Sequence, residues 1–102
     1  MTYHLILSPG VHADIRSAVR CYGREEIALS FRFIAATQAT LRRIVQYPRA
    51  FQILRGTVRR ALIRKFPYAI YFQIKGDRVV VSAILHQRRI ETVWLDRGNG
   101  RS

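Results

Sequence analysis

RRALIRKFPYAIYFQIKGDRVVVSAILHQRRIETVWLDR, residues 59–97, decides the fold. Apolar and polar residues alternate through much of it, the period of a strand with one buried face. Gly76-Asp77 is a two-residue turn dipeptide, and Phe66-Pro67-Tyr68 marks a second joint. The run therefore divides into three strands near 58–66, 68–75 and 78–86, joined as an antiparallel meander. Setting Lys75 opposite Arg78 brings Ile70, Phe72 and Ile74 onto one face with Val79, Val81, Ala83 and Leu85. Leu62 and Phe66 join them. The other face then carries Tyr71, Gln73, Arg78, Ser82 and His86, with Arg59, Ile63 and Lys65. The same register sets His86 near Pro67, and so near Lys65. Strict alternation also points Arg60 and Arg64 at the core, where an unpaired charge is costly. Either that strand lies at an edge with its arginines bent outward, or a bulge near Pro67 flips its register.

Upstream the period changes. Tyr3–Leu7 reads as a short strand, and Ser8-Pro9 supplies an N-cap hydroxyl followed by proline at the first helical position. Val11, Ile15, Ala18 and Tyr22 fall on one helical face, and Cys21 within this pattern is expected to pack. Gly23 breaks the helix. A second restarts near Arg24, with Glu25 and Glu26 in its first turn and a stripe of Ile27, Phe31, Ile34, Leu41 and Val45 that Gln38 interrupts. Tyr47-Pro48 ends it, since the residue before proline is pushed out of helical geometry. PRAFQILRG, residues 48–56, is a connection that Phe51 and Leu54 tether to the core. The expected fold is α+β: an N-terminal strand, a helical hairpin, then the three-stranded antiparallel meander, in one sheet with the helices on one face. A single domain spans 1–97, with Trp94 as a core plug, and 98–102 is a flexible tail.

The 102 residues suffice for one modest core, and a 49% hydrophobic share means the chain folds. No run of about eighteen apolar residues exists to span a membrane, and the start lacks the features of a signal peptide. A lone cysteine makes no internal disulfide, which suits a reducing cytoplasm. The net charge is +12, and sixteen of the eighteen basic residues are Arg. Residues 1–48 carry six Arg against three acidic residues; residues 49–102 carry ten Arg and two Lys against another three. Arg suits bidentate contact with carboxylate or phosphate, so the partner is an acidic protein, a nucleic acid, or both.

Two readings of the basic half compete. Metal-independent RNA cleavage needs an acid, a base and cations around the phosphorane; His86 could supply the first two, with Arg89 and Lys65 the charge, and Tyr71 or Trp94 a stacking surface. Alternatively Arg59, Arg60, Arg64, Lys65, Tyr71, His86, Arg88, Arg89 and Arg97 form a docking surface with no catalytic residue. His4, His12 and Cys21 have no metal-ligand spacing, no glycine-rich phosphate loop exists, and six scattered acidic residues argue against a two-metal nuclease. No metal or cofactor is expected.

The strand–helix–helix–three-strand order, with Arg59-Arg60, Arg64-Lys65-Phe66-Pro67-Tyr68-Ala69-Ile70-Tyr71, His86-Gln87-Arg88-Arg89 and Trp94-Leu95-Asp96-Arg97, resembles the RelE/ParE toxin superfamily of bacterial type II toxin–antitoxin modules. Ala13-Asp14-Ile15, opening the first helix, fits as well. The resemblance implies a cytoplasmic toxin held in a hetero-oligomer by an acidic antitoxin. RelE-like members cleave mRNA at the ribosome, whereas ParE-like members poison DNA gyrase without chemistry of their own. The Phe-Pro-Tyr turn, the His-x-x-Arg run and the Trp-x-x-Arg ending look more like the ParE branch, and no Tyr follows Tyr71. His86 keeps the ribonuclease open as the alternative.

Overall fold

A computed structural model describes residues 3–89. The Arg89 side chain, Trp94, Arg97 and the tail 98–102 lie outside the described residues. Two helices pack on one face of a five-stranded mixed sheet, an α+β fold. The elements run β1 (His4–Leu7), α1 (Val11–Glu25), α2 (Ile27–Gln46), a 3-10 turn at Pro48–Ala50, then β2 (Ile53–Arg55), β3 (Val58–Leu62), β4 (Tyr68–Lys75) and β5 (Arg78–His86). Their order in the sheet is β1-β5-β4-β3-β2, with β1 parallel to β5 and the other pairs antiparallel. The expected connection over 48–56 thus contributes an edge strand. Phe51 and Leu54 do tether it, Phe51 to the core under the helices and Leu54 to a second cluster on the opposite face.

The α1 stripe is as read: Val11 and Ala18 are buried, while Ile15 and Tyr22 pack against the same core. The helix starts at Val11 rather than at Pro9, because the Val11 N–H donates to the Ser8 carbonyl (3.0 Å) and no side chain caps it. Gly23 lies inside α1; the break falls at Glu26, whose extended backbone separates the two helices, so neither glutamate enters the first turn of α2. Cys21 is exposed, not packed.

The buried face of α2 is Ser30, Phe33, Thr37, Thr40 and Ile44, about a quarter of a turn from the stripe that hydropathy selects. Ile27 and Phe31 are each 66% exposed. Hydroxyl groups can occupy the buried face because each returns a hydrogen bond to its own helix: Ser30 Oγ to the Ile27 carbonyl (2.6 Å), Thr37 Oγ1 to Phe33 and Thr40 Oγ1 to Ala36 (both 2.8 Å). Phe33 is the hub, its ring centre 5.5 Å from Tyr22, 5.3 Å from Phe66 and 5.1 Å from Tyr68.

The β4–β5 hairpin turns at Gly76, whose φ of +62° is the left-handed value open to a residue without Cβ, and Lys75 does face Arg78. The register holds as far as Phe72↔Val81, then shifts to Tyr71↔Ala83, leaving Ser82 as a bulge. Beyond it every side chain changes face. Ile84 joins the core under the helices, while Ala83 and Leu85 turn to the opposite face beside Tyr71, Ala69 and Val58. His86 pairs with Tyr68, whose ring packs in the helix-side core, so His86 lies on the helix side and not with Tyr71. The bulge sits where β1 ends: the Ser8 N–H donates to Val81 O (2.9 Å), and just past the bulge the Ile84 N–H donates to Asp14 Oδ2 (3.0 Å) from α1.

The question over Arg60 and Arg64 is settled by a turn. β3 ends at Leu62, and the Phe66 N–H donates to the Ile63 carbonyl (3.2 Å). Arg59 pairs with Phe72 and Arg60 with Tyr71, so Arg60 and Leu62 share the face away from the helices. Leu62 is 50% exposed and Ile63 is 1% exposed, the reverse of the expected assignment. Lys65 takes φ +69° inside the turn, a backbone that costs a non-glycine residue about 1 kcal/mol.

Candidate functional site

Six of the basic residues gather along one side of the molecule, where α2 faces the β3–β4 turn. A hollow of about 620 Å³ opens between them, with Arg32 and Ala35 on the helix and Arg64, Lys65 and Phe66 on the turn. Two further hollows, about 410 and 390 Å³, continue it: one runs along α2 past Ala39, Arg42 and Arg43, the other ends at Phe51, Arg60 and Leu62. Arg64 lines all three, so they form one groove. Six cationic side chains border it and, among the described residues, no Asp or Glu does. Such a groove concentrates positive potential and attracts anionic surfaces.

The residues singled out from sequence divide among different places. Arg64 and Lys65 are exposed on the turn wall, and Arg60 closes the groove where β2 gives out. Arg59 is occupied structurally: its guanidinium donates to the carbonyls of Phe51 (2.7 Å) and Arg49 (3.3 Å), fastening the chain between α2 and β2. Tyr71 is on the expected face but fully buried, so the open-surface role expected of it fails. Burial raises the pKa of its phenol above the ordinary value, against the opposing pull of Arg60, and its hydroxyl has no hydrogen-bond partner among the described residues. His86 stands edge-on to Tyr68, ring centres 5.3 Å apart, and its Nδ1 accepts the Arg88 N–H (3.1 Å). Arg88 itself is exposed. The Gln87 N–H donates to the Pro67 carbonyl (2.9 Å), which brings the end of β5 to the β3–β4 link. No hydrogen bond joins Lys65 to His86 among the described residues.

Arg32, Arg42 and Arg43 were not singled out from sequence, although a signal exists. Positions 32, 35/36, 39, 43 and 46 follow the i, i+3/i+4, i+7 rule and read Arg, Ala/Ala, Ala, Arg, Gln, a stripe of small and cationic residues. Hydropathy passes over it because nothing in it is large and apolar. Among the described residues no three His, Cys, Asp or Glu side chains come together to hold a metal ion, and no helix is long and apolar enough to cross a membrane.

The fold is shared with a chain of the solved structure of a chromosomal ParDE toxin–antitoxin system from P. aeruginosa, at TM-score 0.74 and 13% identity over 83% of this chain and 96% of that one. No curated protein sequence matches. Residues 5–91 match the family model for the ParE toxin of the type II toxin–antitoxin system, parDE. With that much of its length matched, the chain belongs to the ParE toxin family of type II toxin–antitoxin systems.

Proposed function

We propose that this ParE-family toxin acts in the cytoplasm by docking on DNA gyrase, and that an acidic antitoxin neutralises it by occupying its basic surface. The observation that carries this reading is the groove itself, a concave surface with six cationic side chains and no acidic lining residue among those described. It is built for recognition. A general acid or base must reach the proton it transfers, and His86, the one candidate, is packed edge-on against Tyr68 with Nδ1 already accepting a backbone N–H. That arrangement suits a residue fixing the end of β5 better than one turning over phosphate esters.

A supercoiling assay with purified gyrase, run beside a cleavage assay on ribosome-bound message, tests the target. Inhibited supercoiling with intact message is expected. Message cleavage that disappears in His86→Ala would overturn the reading in favour of a ribonuclease. The antitoxin is tested separately: co-expression of a short acidic protein encoded beside this gene should relieve growth arrest, and arrest that persists would count against it.

A further inference from the structure

We propose that the end of the sheet formed by the β2–β3 and β4–β5 turns is a second binding surface, whose ligand is the phosphate backbone of duplex DNA. The inference goes beyond the gyrase reading and does not depend on it. The two turns meet there: Gly56 and Thr57 from one and Gly76 from the other line a separate hollow of about 220 Å³, together with Arg49 from the 3-10 turn. Lys75 faces Arg78 across the β4–β5 turn. Arg55 closes β2, three strands from β5, a span of about 14 Å at ~4.8 Å per strand. All four cations are exposed, and none of them lines the groove beside α2. Among the described residues, the side chains of Arg49, Lys75 and Arg78 make no hydrogen bond or ion pair. The acidic residue at this end is Asp77, with His4 Nε2 3.7 Å from its carboxylate.

The backbone that carries these cations is held in place. Arg59 donates to the carbonyls of Arg49 and Phe51, and Gln73 Nε2 donates to Thr57 Oγ1 (2.7 Å). Thr57 accepts that bond, so its own hydroxyl proton remains to be donated outward. A held frame loses less freedom when a ligand arrives. The ligand's chemistry follows from the spacing. About 14 Å of duplex axis carries about eight negative charges, and Arg meets phosphate through two parallel hydrogen bonds. A rod as broad as a duplex cannot enter the hollow between α2 and the β3–β4 turn, whereas both of these turns are exposed at the sheet's end. An acidic protein would need an apolar centre to its interface; among the described residues Ile53 is the exposed large apolar side chain lining this hollow. A single strand would need several rings on which to stack successive bases. Tyr47, two residues before Arg49 and 68% exposed, supplies one.

The test measures binding of the full-length toxin to a short labelled duplex of mixed sequence by fluorescence anisotropy over a series of salt concentrations. The three unpaired cations predict a slope of log K against log salt of about −3. Arg49→Glu with Arg78→Glu should weaken duplex binding more than about tenfold and reduce that slope by about 2. Both side chains are exposed, so the fold should tolerate the change, and Arg49→Gln with Arg78→Gln should move both readings in the same direction by less. Arg16→Glu with Arg20→Glu removes the same charge from the exposed side of α1 and should bind within about threefold of the parent. An equal loss in that control would mean diffuse attraction to a basic molecule and would overturn the site. A larger loss from Arg32→Glu with Arg43→Glu would move DNA to the groove, and a parent toxin that binds no duplex would end the proposal while leaving the gyrase reading intact. Tighter binding of the separated single strand, lost in Tyr47→Ala, would reassign the surface to unpaired nucleic acid. Displacement of the duplex by poly-glutamate of equal charge concentration would reassign it to an acidic protein.

Discussion

Under the helices Phe33 meets Tyr22, Phe66 and Tyr68 ring to ring, with Thr37 and Thr40 turning their hydroxyls back to carbonyls of their own helix. On the opposite face of the same sheet, Tyr71 is equally buried among Val58, Ala69, Ala83 and Leu85, yet its hydroxyl finds no partner among the described residues. Both faces are buried, but among the described residues the hydroxyls under the helices are answered and that of Tyr71 is not. An unanswered buried hydroxyl costs about 1–3 kcal/mol, so equal burial does not mean equal stabilisation.

The largest effect should come from emptying the helix-side hub. Phe33→Ala should cost about 3–5 kcal/mol in urea denaturation; a loss near 1 kcal/mol would mean that the ring cluster contributes no more than an ordinary contact. The seam between the faces comes next. Asp14→Ala leaves the Ile84 N–H without the carboxylate that accepts it and should cost about 1–3 kcal/mol. A change within about 0.5 kcal/mol would show that water replaces the carboxylate and that the bulge needs no support from α1.

The smallest effect has the opposite sign. Tyr71→Phe removes only the orphan hydroxyl and should leave stability unchanged or raise it by about 1 kcal/mol, whereas a clear loss would reveal a partner for that hydroxyl. Alkaline titration sharpens the point. Burial raises the Tyr71 pKa above its ordinary 10.0, so above that pH the unfolded chain releases a proton that the folded chain retains. Stability should therefore fall as pH rises past about 10, and Tyr71→Phe should fall less steeply.

Much of this was legible in the sequence. The α1 stripe, the Lys75–Arg78 register and the placing of both helices on one face follow from spacing alone. The failures in the sheet share a cause: phase is lost where apolar residues occupy both periods. Val79-Val80-Val81-Ser82-Ala83-Ile84-Leu85 reads equally well in either register, so hydropathy could not reveal that Ser82 is an extra residue. Ala61-Leu62-Ile63 hides the end of β3 in the same way, and with it the facing of Arg60. In α2 the phase was lost to chemistry instead. Ser30, Thr37 and Thr40 look like surface residues until their hydroxyls are seen bonded within the helix, and that turned attention from the flank bearing Arg32 and Arg43. The groove was missed because it lies between an alanine-floored helix face and a turn whose position was not foreseen.

The pairing of β1 with β5 bears on the order in which the molecule can be made. Strands β2 to β5 each pair with a neighbour in sequence and can zip up as they are synthesised. β1 cannot: among the described residues, 4–7 pair with residues 78–81, so β1 must wait until β5 has been synthesised. Until β5 arrives, β1 has no partner and β4 presents a bare edge, the kind of surface that recruits other chains. A prematurely terminated product is therefore not a shorter toxin. It is an open sheet, suited to aggregation or proteolysis and lacking the strand against which Asp14 fastens the first helix.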